Sequence, residues 1–326
     1  MKNKKLKILY SSLILCVLLI STYAFVSPIV AEGNNEPSTG TYPPQSVNSL
    51  PVLKQTEFAG KSIPLQRHDV RERFDRELMA FTYMHSTTFL IIKRANLYFP
   101  IIEPILKENG IPDDFKYLAV VESYLNPRVV SPVKAVGIWQ FVTDTAIECG
   151  LEVTGEVDER YHLEKSTIAA CRYLQQSYDM YGDWLLAAAS YNAGRRRVTE
   201  ALEEQGATDF FGLYLNEETS RYIFRLLAVK EVISNPKKYG FRLKKEDFYH
   251  TVRTEEVEIN TPVENWAEWA QEHDTDFAQL KYYNLWIRDI KLENFGGNTY
   301  KVKIPYAKNL DYDIRKVKIH NKAWVE

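Results

Sequence analysis

From Val70 onward apolar residues return at helical spacing: Val70, Phe74, Leu78 and Phe81 mark one face, and the rhythm continues with interruptions to about Tyr239. This pattern predicts a mainly α domain over residues 65–240. Pro100, Pro104, Pro112, Pro127 and Pro132 punctuate it, and Gly194, followed by a basic run, is placed to end a helix. Beyond Gly240 the rhythm changes to alternation. Tyr300, Val302 and Ile304 are interleaved with Lys301 and Lys303, and Val257 and Ile259 give a shorter matching run. Val263 to Glu272 and Phe277 to Asn284 read as two short helices between these strands. A small β-α-α-β module is therefore expected over residues 250–305, with 306–326 unassigned.

The first segment has another character. Lys2, Lys4, Lys5 and Lys7 precede an apolar run from Ile8 to Val26, which is the pattern of an export signal. Small residues at Thr22, Ala24 and Ala31 offer cleavage sites, while the run is also long enough to remain as a membrane anchor, so residues 1–31 are expected to be one or the other. Cys16 follows Leu15 rather than a small residue and reads as a hydrophobe, not a lipidation site. Residues 32–64 are expected to be a flexible linker, because Pro37, Pro43, Pro44 and Pro51 interrupt an Asn-, Ser- and Thr-rich stretch. The location implied is exported, in the periplasm or cell envelope.

Composition narrows the function. The 326 residues are 45% hydrophobic and 26% charged, ordinary globular proportions, and a net charge of -2 argues against nucleic-acid partners. Removing residues 1–31 takes away four lysines and no acid, so the remainder is more acidic still. The six histidines are scattered and neither Cys149 nor Cys171 has a histidine at ligand spacing. With no Gly-rich phosphate loop either, neither metal nor cofactor is expected. Thr167, Cys171, Leu174 and Tyr178 share a helical face, which places Cys171 as a buried small hydrophobe rather than as a disulfide partner of Cys149.

Chemistry concentrates after Pro112. Asp113 and Asp114 open a helix on which Phe115, Leu118, Ala119 and Glu122 share one face. A carboxyl group pressed into apolar surroundings holds its proton toward neutrality and can donate it to a glycosidic oxygen. The competing reading is a structural Glu122 paired with an arginine or a backbone group. Glu218, Tyr222, Leu226 and Val229 likewise follow one face, making Glu218 a second carboxylate expected against apolar material, either as a substrate group or in a salt bridge.

Glu122-Ser123 is followed by Asn126-Pro127, Ser131, Ala135 and Gly137-Ile138-Trp139-Gln140-Phe141. Further on come Asp158, Arg160, Lys165-Ser166-Thr167, Asp183-Trp184-Leu185, Ala189-Ser190-Tyr191-Asn192-Ala193-Gly194 and Glu218-Thr219 with Tyr222. In these motifs the chain resembles the lytic transglycosylases with an SLT, goose-lysozyme-like domain, of the membrane-bound murein transglycosylase D type. The resemblance covers roughly residues 65–240. It implies a lysozyme-like helical catalytic domain acting on peptidoglycan glycan strands between N-acetylmuramic acid and N-acetylglucosamine. Glu122 would be the single acid and base, and the C6 hydroxyl of the muramic acid would close a 1,6-anhydro ring. Ser131, Gly137, Gln140, Tyr191, Asn192 and Glu218 would form the substrate site, with the Tyr191 phenol directed at the acid. Gly137, lacking a Cβ, would let backbone approach a ligand or the acid, and Trp139 would either stack on a sugar or belong to the core.

Alternatives remain a lysozyme-type hydrolase on the same scaffold, for which two carboxylates about 5 Å or about 6.5–9.5 Å apart are the usual requirement, and a non-catalytic murein-binding protein. Where the family commonly has a second glycine after Gly194, this chain reads Arg195-Arg196-Arg197, either a solvated helix start or a contact for stem-peptide carboxylates. The module resembles a LysM domain through Asn265-Trp266-Ala267-Glu268-Trp269-Ala270 and Leu280-Lys281-Tyr282-Tyr283-Asn284, which implies a fold that binds glycan.

Overall fold

The computed structural model of the chain describes residues 49–51 and 53–326. The export segment 1–31, with its cleavage and anchor readings and Cys16, lies outside the described residues, as does the linker up to residue 48. Among the described residues no helix is long and apolar enough to cross a membrane.

The helical rhythm becomes α1 (His68–Tyr83), α2 (His85–Glu108), α3 (Lys116–Ser123), α4 (Thr143–Glu148), α5 (Leu163–Tyr181), α6 (Trp184–Ala193), α7 (Arg195–Gln205) and α8 (Glu217–Ser234). Val70, Phe74, Leu78 and Phe81 are all buried on α1, which packs along α8. At the centre stands α6, whose residues Leu185 to Ser190 are buried on every side. A helix apolar all round must be enclosed, and α5, α7 and α8 enclose it. Asp183 caps its first turn, accepting from Leu185 N at 2.7 Å, and Gly194 ends it at φ +83°. Pro100 and Pro104 do not break α2 as the sequence suggests. Both lie on its exposed side, where the carbonyls they leave unbonded can meet water.

The alternating runs pair as expected. Strands β3 (Thr254–Ile259) and β4 (Tyr300–Pro305) are antiparallel, Thr254 opposite Pro305 and Ile259 opposite Tyr300. Between them come α9 (Trp266–Glu272) and α10 (Phe277–Tyr283). Tyr300, Val302 and Ile304 point inward; the first two join Trp266, Leu280 and Ile287 in a small core that also takes in Val157 of the helical domain. The junction is hydrogen-bonded as well as apolar: Asp158 N donates to Trp286 O at 2.9 Å, Arg288 N to Glu156 O at 2.7 Å, and Lys303 pairs with Glu164.

Two boundaries move. Residues 57–62, expected in the linker, form a hairpin of β1 (Glu57–Phe58) and β2 (Lys61–Ser62) turning through Ala59 (φ +49°) and Gly60 (φ +78°). Phe58, Ile63 and Leu65 are buried in the helical core, so folding begins upstream of residue 65. The unassigned stretch 306–326 returns to that same core. Trp324 is buried and donates its indole N–H to Ile233 O at 2.7 Å, and the Asn96 side chain bridges Lys318 O and His320 N. Cys149 and Cys171 are free and buried, and burial pushes the Cys171 thiol up to about 12.

Candidate active site

Glu122 is the penultimate residue of α3, and the residues that share its face, Phe115, Leu118 and Ala119, are fully buried. The chain leaves α3 through two left-handed non-glycine residues, Tyr124 (φ +53°) and Leu125 (φ +55°). Such backbone costs on the order of 1–3 kcal/mol per residue and survives only where packing enforces it. Leu125 is buried in the core, and the Ser123 hydroxyl donates to Ile138 O at 2.9 Å. That bond stitches the helix carrying Glu122 to the loop 129–141.

Burial pushes the Glu122 carboxyl up to about 7; a hydrogen bond from Tyr222 opposes the rise, the charge of Glu218 adds to it, and the Arg225 cation opposes it again. The Tyr222 phenol donates to Glu122 Oε1 at 2.5 Å. Tyr191, expected in that role, donates instead to Trp139 O at 2.8 Å. It stays close enough for the Glu122 charge to raise its own pKa, after burial. Tyr222 belongs to the motif pattern, which by itself gives it no role. The signal for one was a lone phenol on an apolar helix face, since a buried hydroxyl needs a partner.

The loop 129–141 accounts for three further candidates. Ser131 Oγ accepts from Ala135 N at 3.0 Å, and Gln140, at φ +52°, donates its side-chain amide to Gly137 O at 2.9 Å and Val129 O at 3.2 Å. Gly137 is needed for the protein's own backbone rather than for a ligand or the acid: at φ +78°, a Cβ there would lie 2.3 Å from Arg160 O. Trp139 is core, fully buried with its indole N–H on Thr167 Oγ1 at 2.9 Å, so it is not a stacking platform. The loop is clasped from outside by Arg160. This buried guanidinium pairs with Asp158 through Nε at 2.9 Å and Nη2 at 2.7 Å, and donates to Lys134 O and Phe141 O.

Asn192, half-buried at the end of α6, accepts from Thr219 Oγ1 at 2.9 Å and so ties α6 to the first turn of α8. Glu218, in that turn, is exposed rather than set against apolar material: the neighbouring Thr219 takes the inward position of the turn, and Tyr222 and Leu226 are buried only from the next turn on. Its charge still acts on Glu122. The arginine run divides: Arg195 bonds Ser177 Oγ, Tyr173 O and Gln176 on α5, whereas Arg196 and Arg197 are exposed. Glu122, Tyr222, Tyr191 and Glu218 thus form one electrostatic group, with Asn192 beside Glu218 through Thr219.

A cavity of about 480 Å³ opens elsewhere, between residues 152–156 and the 289–300 segment of the module, and none of its lining residues belongs to the Glu122 group. Among the described residues no group of three or more His, Cys, Asp or Glu side chains is placed to hold a metal ion.

The Transglycosylase SLT domain family matches residues 99–212, and the soluble lytic transglycosylase C-terminal LysM-like domain matches residues 255–308. The membrane-bound lytic murein transglycosylase D of Escherichia coli K12 is 32% identical over 246 residues, covering 74% of this chain and 53% of that protein; its counterpart in Escherichia coli O6:H1 gives the same figures. The chain thus spans about half the length of these curated relatives. The crystal structure of the 70 kDa soluble lytic transglycosylase of Escherichia coli is similar at a TM-score of 0.38 and 26% identity, over 42% of this chain and 24% of that one. The chain carries a transglycosylase SLT domain followed by the LysM-like C-terminal domain of the soluble lytic transglycosylases.

Proposed function

We propose that the chain is an exported lytic transglycosylase of the cell envelope that cleaves the β-1,4 bond between N-acetylmuramic acid and N-acetylglucosamine in peptidoglycan. The observation that carries this reading is a single carboxyl group, Glu122, held by burial at a pKa of about 7 with a phenol as its hydrogen-bond partner. Near neutrality a large share of such groups keep their proton, and the group can give it up to a leaving oxygen. In the proposed step Glu122 protonates the glycosidic oxygen, the bond to C1 of the muramic acid breaks, and the C6 hydroxyl of the same sugar bonds to C1. Glu122, now a carboxylate steadied by Tyr222, accepts the proton of that hydroxyl and is restored. No water is consumed and no second carboxylate is needed; the product carries a 1,6-anhydro ring. Ser131, Gly137 and Gln140 shape the loop on one side of the acid, and Tyr191, Asn192 and Glu218 complete the glycan site on the other. The LysM-like module is proposed to hold glycan alongside, and residues 1–31 to provide export or attachment.

A second reading, hydrolysis, is favoured by one observation: the exposed Glu218 carboxylate acts on Glu122 and faces solvent from which a water could be drawn. Mass spectrometry of products from purified sacculi separates the two, because hydrolysis adds one water and leaves reducing ends. Glu122→Gln is expected to lower release by 1000-fold or more (roughly 4 kcal/mol of barrier) with circular dichroism unchanged. Undiminished release by that variant would remove Glu122 from the mechanism.

A further inference from the structure

Glu77 on α1 is a carboxylate only 4% exposed, in a part of the chain outside the SLT match. Three arginines reach it: Arg221 Nε at 2.6 Å, Arg76 Nε at 3.2 Å and Arg225 Nε at 3.6 Å. Arg221 and Arg225 stand one turn apart on α8, flanking Tyr222, which holds Glu122. Arg225 is the loosest of the three contacts, and its charge is felt at Glu122 and at Tyr222. One guanidinium thus contacts the Glu77 carboxyl and is felt by the Glu122 carboxyl, which in the proposed reaction must keep a proton. An arginine stays charged under all working conditions and pairs with whichever carboxylate is offered.

We propose that Glu77 is a positioning residue for the acid: by holding Arg225 on the α1 side of α8, it denies Glu122 a permanent cation. The inference rests on Glu122 being the acid of the reaction. The titratable and charged groups around Glu122 are Tyr222, Glu218 and Arg225 on α8 and Tyr191 on α6. Those around Glu77 are Arg76 on its own helix, whose other end meets Glu217 at 2.8 Å, and Arg221 and Arg225 on α8. With Glu77 neutral, Glu122 is an alternative anion within range of the Arg225 charge.

The experiment is the pH profile of kcat on purified sacculi for the full chain and its variants. Glu77→Gln is expected to move the upper limb, where Glu122 loses its proton, down by about one pH unit, so that the loss relative to the wild type grows to about tenfold above that limb. Glu77→Gln combined with Arg225→Gln is expected to bring the limb back to the wild-type position or above it, because the cation is gone. An ion pair that only ties α1 to α8 would lower the melting temperature and leave the limb where it is, and that result would overturn the proposal. Should Glu77→Gln fail to fold, Arg225→Gln alone decides, since Arg221 still satisfies Glu77: the limb is expected to rise, and an unmoved limb overturns the proposal. A wild-type protein without turnover, or an active Glu122→Gln, would instead refute the reading of the site itself.

Discussion

Glu122 and Asp158 each stand one residue or two from a hydrogen bond into the loop 129–141, and they differ in the partner each carboxyl group meets. Asp158 is locked in a two-bond grip to Arg160, whose remaining donors hold the loop's carbonyls. Glu122 faces a phenol, and the cation in its neighbourhood is engaged by Glu77. The paired, buried Asp158 serves as scaffold for the loop. Glu122, left with a neutral donor, is pushed up to about 7 by burial and in the proposed reaction has a proton to lend. Under the proposed reading the same residue chemistry is split into support and reaction by where the arginines go.

The largest test of this contrast is Arg160→Ala. It strands the Asp158 charge in a buried site and releases the carbonyls of Lys134 and Phe141, an expected loss of about 3–5 kcal/mol by chemical denaturation; a loss under about 1 kcal/mol would erase the distinction. Next comes Glu122→Gln, read as stability rather than turnover. Because the folded carboxyl titrates at about 7, above its ordinary range, the stability contributed by its retained proton is fully present below that range and is lost as pH rises through about 7. Glutamine has no such slope. The variant is expected to gain about 2–3 kcal/mol on the wild type between acid pH and pH 8, and parallel stability curves would mean that Glu122 is not desolvated. The smallest effect is expected from Tyr222→Phe, about 1 kcal/mol of stability. Since the Tyr222 bond favours the charged carboxylate, its removal should raise the upper pH limb of kcat; a fall would show that the phenol serves the protonated form.

What could be read in advance followed periodicity. The buried face of α1, the alternation along β4 and the apolar setting of Glu122 all repeat over several turns or residues, so their burial is written in spacing. Phe58 and Trp324 are as buried, yet one sits in a two-residue strand and the other in a single 3₁₀ turn, elements too short to show a period. The chemistry divides the same way. Glu122 could be found from its helix face, but which phenol would reach it could not, because Tyr191 and Tyr222 lie on different helices and only packing decides that one meets Trp139 O and the other the acid. The spacing of the motifs marks Gly137 for lacking a side chain, but not the atom that needs the space, which belongs to Arg160, 23 positions further along the chain.

The backbone bonds from Asp158 and Arg288 that fasten the β-α-α-β module to the helical domain bear on how a long polymer would be handled. A module on a slack tether raises only the local concentration of its ligand, whereas one bolted in place imposes a single distance and orientation. If both halves grip one strand, the spacing between grip and cut is set by the architecture, like a jig on a bench, and fragments should come off in preferred lengths.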